Sequence, residues 1–114
     1  MNKVEVIKLK IGELTPIDVL KTIADYFALP ISYFNKTEKL IKSNRERSYK
    51  IYLYFYFAYT YTFPKFSTTA ITNPINYDHS SVYAGVKSIT NTLYLPDVEA
   101  DVRNIKMILD AKLT

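Results

Sequence analysis

Asp78, His79 and Ser80 are consecutive in NYDHSSVYAGVKSI, and His79 is the only histidine in the chain. Carboxylate, imidazole and hydroxyl are the three groups of a hydrolytic triad. Their spacing argues against that use, because successive residues of a helix do not face one another and a triad needs each group to bond the next. The sequence shows no paired carboxylates that would share a cleft. With no cysteine and one histidine, there is no thiolate site and little room for zinc. No GxxxxGK[ST] phosphate loop occurs. The expectation is therefore a non-enzyme with no catalytic residues, no metal, no cofactor and no small-molecule substrate. These residue types do suit contact with nucleic acid. Short polar side chains in the first turn of a helix let its backbone approach base edges. Asp78 can accept from a cytosine amino group, and His79, Ser80 and Ser81 can bond base edges or phosphates. A helix N-terminus also attracts phosphate. Asp78 can equally cap its helix, and capping is compatible with base contact.

Those residues need a scaffold. Asp78 is expected to open a helix striped by Val82, Val86, Ile89 and Leu93, with Lys87 on it as a contact or a solvated charge. Upstream, Ser67 can cap a short helix holding Ala70 and Ile71. Asn73-Pro74 breaks it, and Ile75-Asn76-Tyr77 turn the chain. Short helix, tight turn and second helix form the grammar of a helix-turn-helix. Leu95-Pro96-Asp97 then starts a last helix striped by Val98, Val102, Ile105 and Leu109. Near the N-terminus, Thr15-Pro16-Ile17-Asp18 reads as cap, first-position proline and acidic first turn, so residues 16–28 are expected to be an amphipathic helix that Pro30 stops. Ser32 can cap one further turn carrying Tyr33 and Phe34. Residues 1–14 read as an arm or short strand, with Val4, Val6, Leu9 and Ile11 as its apolar content.

The stretch IYLYFYFAYTYTF, residues 51–63, is ambiguous. Its aromatic and β-branched content favours a strand. Its length favours a helix, because the continuous run from Arg45 to Pro64 exceeds a typical strand and no second convincing strand outside the arm can pair with it. Two glycines in the whole chain also speak against hairpin turns. A helix here would be apolar all round, hence central, and its tyrosines mainly core, with several hydroxyls reaching a surface or interface. The expected fold is an all-α helix-turn-helix bundle of about five to six helices. Residues 15–114 would form one domain behind the arm.

The formal charge of +4 is concentrated. Lys36, Lys39, Lys42, Arg45, Arg47 and Lys50 face only Glu38 and Glu46 in one segment, and the rest of the chain balances. Such a patch marks a polyanion partner or a solvated basic surface. Lys39, Lys42, Arg45 and Arg47 could grip a phosphate backbone or enter a minor groove. The N-terminal MNKVEVIKLKIGEL alternates apolar and charged residues, unlike a signal peptide, and no apolar run reaches membrane-spanning length. The expected address is the cytoplasm, with no membrane partner.

DHSSV, followed by a helix ending in KSI, resembles the contact motif of the C-terminal duplex-DNA-binding domain of the bacterial replication initiator DnaA. Asp78, His79, Ser80, Val82 and Ile89 match in register. Ile71 and Ile75 match the apolar anchors of the preceding helix and turn. IADYFALPISYF is similar to the family's first helix and short second helix, and the element order agrees over about residues 16–109. The resemblance implies a duplex-DNA binder that reads the major groove with the helix starting at Asp78. The candidate contacts are Tyr77, Asp78, His79, Ser80, Ser81 and Lys87, with Lys39, Lys42, Arg45 and Arg47 of the basic segment. A role in replication, transcription regulation or a phage or mobile element would follow. The chain departs from the family where Asn76-Tyr77 replace Gly-Arg, Ser81 replaces Thr, Gly85 replaces Ala and Ser88 replaces Lys. Two other readings use the tyrosines instead: a homodimer or protein partner on a Tyr-rich face, or single strands stacked on the rings. The DNA reading requires the 36–50 cluster and Asp78–Ser81 to share one face.

Overall fold

The computed structural model describes residues 14–36 and 45–113. The expected arm lies outside them except for Leu14, which is buried. The described chain is all-α. Five α-helices and two short 3-10 turns run in the order α1 (Pro16–Tyr26), a 3-10 turn (Ile31–Phe34), α2 (Arg45–Thr62), α3 (Thr68–Thr72), a 3-10 turn (Asn73–Ile75), α4 (Ser81–Thr92) and α5 (Pro96–Ala111). No strand occurs among the described residues, and none of their helices is long and apolar enough to cross a membrane.

Helix α1 begins as its sequence predicts. The Thr15 hydroxyl accepts from the Asp18 amide at 3.2 Å, and the Asp18 carboxylate accepts from the Thr15 amide at 2.9 Å. Two otherwise orphaned donors are satisfied reciprocally. The helix ends at Tyr26, two residues short of the expected Ala28. Ala28 takes the left-handed conformation, φ 55°, while its amide donates to the Asp25 carbonyl and the Leu29 amide to that of Ala24. This paired closure satisfies the last carbonyls and reverses the chain before Pro30. The next turn has Pro30 rather than Ser32 at its capping position, with no side-chain cap bond. Burial of Phe34 holds this turn against the core.

The Tyr-rich stretch is helical. Helix α2 packs against α1, α3, α4 and the first 3-10 turn, and buries Ile51, Leu53, Tyr54, Phe55, Phe57 and Ala58. Those positions cover more than one face, as a central helix requires. The tyrosine hydroxyls act as struts. Tyr49 on α2 and Tyr26 on α1 both donate to the Asp101 carboxylate of α5, at 2.7 and 2.8 Å. Tyr61 donates to Asp110 at 2.6 Å, and buried Tyr54 donates to the Ile71 carbonyl of α3. Among the described residues, no buried side-chain nitrogen or oxygen lacks a partner.

Candidate nucleic-acid interface

The unit from α3 to α4 carries Asp78, His79 and the serines. Ser67 caps α3, its hydroxyl accepting from the Ala70 amide at 3.2 Å. The 3-10 turn at Asn73–Ile75 follows directly, and Asn76 reverses the chain at φ 59°. A left-handed residue is needed there, and asparagine tolerates that conformation better than most side chains. The Tyr77 amide returns to the Thr72 carbonyl at 3.2 Å. The link from Asn73 to Ser80 is longer than the tight turn expected from the sequence.

Regular helix begins at Ser81, not at Asp78. The amides of Ser81 and Val82 donate to the carbonyls of Asp78 and His79, at 2.9 and 3.3 Å. The first of these bonds occupies the Ser81 amide, three residues on, that an Asp78 side-chain cap could have used. The Asp78 carboxylate instead accepts from the Ser80 hydroxyl at 3.1 Å and lies 3.3 Å from His79 Nδ1. Both side chains are well exposed, at 70% for Asp78 and 63% for His79. A pair this exposed adds little to stability. Its groups remain open to a partner.

Behind this tip, α4 lies along α2. Tyr83 meets Tyr59 edge-on at 5.7 Å, Gly85 faces Phe55, and Ser88 and Thr92 line a cleft with Arg45, Ser48 and Tyr52. Contacts that climb one helix while descending the other make the two antiparallel. A Cβ on Gly85 would stand 2.8 Å from the Phe55 Cβ, so glycine permits this approach. Val82 and Ile89 are buried beside it, while Val86 and Leu93 of the expected stripe are half-buried. The opposite face exposes Ser80, Tyr83, Ala84, Lys87 and Asn91, spaced as one helical stripe. Ser81 is half-buried at its edge.

The basic segment is divided. Lys36 is joined to the turn before α4: its amide donates to the Ile75 carbonyl at 2.8 Å, and its ammonium stands 5.5 Å over the Tyr77 ring. Arg47 reaches the same tyrosine, with Nη1 3.5 Å from its hydroxyl. Arg47 Nε donates to the Tyr33 carbonyl at 2.9 Å, and Nη2 donates to that of Asn35. Arg47, offered by the sequence as a backbone or minor-groove contact, ties the first 3-10 turn to α2 and the turn before α4 through its guanidinium. Lys50 is buried, bonds Glu46 at 2.7 Å and sits over the rings of Phe27 and Tyr33. The Lys50 ammonium also holds the Glu46 carboxyl below its usual range. Arg45 is exposed but lies beside Ser88 and Thr92, toward the C-terminal end of α4. Lys39 and Lys42 lie outside the described residues. Lys36, Arg47 and Tyr77 are therefore assembled at the start of α4, next in the chain to Asp78, His79 and Ser80. Lys87 lies two turns along the same helix, while Arg45 and Lys50 stand apart. Of the described basic residues of the 36–50 segment, only Lys36 and Arg47 come near Asp78–Ser81, and the cluster as a whole does not share their face.

The sequence reading missed two members of this surface. Lys36 reads in the sequence only as part of the charge excess, because its backbone anchor on Ile75 is non-local. Tyr83, 52% exposed, was legible: it lies three residues after Ser80 on the same stripe. No protein-family model matches the chain, and a search of curated proteins finds no match.

Proposed function

We propose that this protein binds duplex DNA and places the start of α4 in the major groove, in the manner of a replication-initiator DNA-binding domain standing alone. The observation that carries this reading is the tip of α4. Asp78, His79 and Ser80 project from it exposed, while Val82, Gly85 and Ile89 seat the helix on α2. A reading helix needs that division: polar groups free at the front, and a rigid seat behind. The meeting of Lys36 and Arg47 at Tyr77 adds positive charge beside the tip, where a phosphate backbone would run.

The test is fluorescence anisotropy across a salt series. The targets are a duplex with an initiator-type box, a scrambled duplex and the matching single strand. The expected result is a preference for one duplex, a fall of log K with log salt of about 0.9 per phosphate contact, and weaker binding by His79→Ala. Absence of duplex binding at low salt would overturn the reading.

A second reading, a protein-interaction module, draws on a different surface. Tyr94 is 80% exposed at the α4–α5 turn, and Met107 and Ile108 are exposed on α5. It would use these side chains rather than the tyrosines of α2, which are buried or half-buried and bonded to neighbouring helices at Tyr49, Tyr54 and Tyr61. In that case His79→Ala would leave partner binding unchanged.

A further inference from the structure

We infer that Lys36 is a phosphate-contacting residue of the proposed DNA surface, and that Tyr77 is the positioning residue that presents it. The inference rests on the duplex-binding reading and adds a residue that sequence pattern does not single out.

Lys36 is held at both ends. Its backbone amide is bonded to the Ile75 carbonyl, which fixes the root of the side chain on the turn before α4. Its ammonium stands 5.5 Å from the centre of the Tyr77 ring. Attraction between a cation and a ring face is electrostatic and leaves ammonium N–H donors for another acceptor. The residue is exposed, which leaves it open to an acceptor from a partner. A long, flexible side chain normally loses conformational entropy on gripping a phosphate. Here part of that loss is incurred on folding, which favours binding.

Tyr77 is itself held firmly. Its ring meets Phe55 edge-on at 5.7 Å, and Phe55 is fully buried on α2. Its hydroxyl faces Arg47 Nη1, and Arg47 is fastened to the carbonyls of Tyr33 and Asn35. The ring is thus a platform braced from α2 and from the first 3-10 turn. It lies one residue before Asp78, so a phosphate bound by Lys36 would be in register with the reading tip.

The experiment measures duplex binding across a salt series for wild type, Lys36→Met, Tyr77→Phe and Tyr77→Leu, with thermal unfolding of each protein. Lys36→Met is expected to reduce the magnitude of the salt slope by about 0.9, the loss of one phosphate contact. It should weaken box and scrambled duplex alike and leave the unfolding temperature unchanged. Tyr77→Phe keeps the ring and is expected to keep the slope. Tyr77→Leu removes the platform and is expected to reproduce the reduced slope of Lys36→Met. A wild-type slope in Lys36→Met overturns the assignment of Lys36 while the duplex reading stands. A wild-type slope in Tyr77→Leu overturns the positioning role. Failure of the wild-type protein to bind any duplex overturns both the inference and the reading beneath it.

Discussion

Helices α2 and α4 lie against each other and are built on opposite plans. Helix α2 buries consecutive residues, Leu53, Tyr54 and Phe55 and then Phe57 and Ala58, so neighbours cover it on several sides. Helix α4 buries Val82, Gly85 and Ile89, three to four residues apart, and leaves its other face to solvent. The first pattern makes a core element whose polar groups must be satisfied internally, as the bonds from Tyr54 to the Ile71 carbonyl and from Tyr49 to the Asp101 carboxylate illustrate. The second makes a helix with one face committed and one face free. A surface that reads a partner needs both, because a contact helix is only as precise as its seat. Loading α2 with aromatic bulk therefore serves α4: it supplies a firm wall at Phe55 on which a glycine can rest.

The comparison can be broken at that wall. Phe55→Ala removes a fully buried ring between Tyr77 and Gly85, and is expected to cost about 3–5 kcal/mol, measured by urea denaturation. A loss under about 1 kcal/mol would mean the contact between the helices is not close-packed. Gly85→Ala tests the other side of the same contact. Overpacking against the Phe55 Cβ costs about 1–3 kcal/mol, and helix propensity returns about 1. The expected net is destabilisation of about 1 kcal/mol. In the double variant Phe55→Ala with Gly85→Ala, the ring atoms Cγ and Cδ2 are gone while the Phe55 Cβ at 2.8 Å stays, so part of the clash is relieved and the two losses should fall short of additivity by about 0.5 kcal/mol.

Alkaline pH probes the phenols of α2. Burial raises the hydroxyls of Tyr49, Tyr54 and Tyr61 well above the ordinary tyrosine value, and nearby Asp101 and Asp110 add to the shift at Tyr49 and Tyr61. In the folded protein these groups keep their protons after the unfolded chain has lost them. Their contribution to stability is therefore fully present below a pH of about 10 and is lost as pH rises from there towards the folded values. The unfolding temperature should fall steadily above that pH, and less steeply in Tyr49→Phe. A flat profile across this range would mean that these hydroxyls are not buried as described.

The smallest expected effect on stability lies at the tip of α4. His79→Ala should change the unfolding free energy by less than about 0.5 kcal/mol, as an exposed side chain away from the core. Its effect should appear in duplex affinity instead. A large stability loss with unchanged affinity would make His79 a structural residue and end the division between seat and tip.

Much of the fold was legible in short stretches. Thr15-Pro16-Ile17-Asp18 specifies the start of α1 because a capping box involves residues three apart. Ser67 announces α3 for the same reason. The length of the run before Pro64, and the lack of a partner strand, decide helix over strand for α2 against its propensity. Asp78 misled as a cap, because its own carbonyl already holds the Ser81 amide and regular helix starts only at Ser81. Ala28 also misled, because its left-handed closure of α1 is usually the work of glycine.

What the sequence determined by itself was therefore the kind and order of the elements, through caps, breakers and periodicities that act within a few residues. The tertiary structure alone decided which charges face outward. Arg47 and Lys50 read as members of one basic cluster. The carbonyls of Tyr33 and Asn35 draw the first into a clamp, and the rings of Phe27 and Tyr33 cover the second. Lys36 reads the same in the sequence and ends beside the tip of α4, because Ile75 and Tyr77, some forty residues away, hold it there. A cation's direction depends on acceptors and rings brought near it from distant parts of the chain, and no local pattern encodes those neighbours.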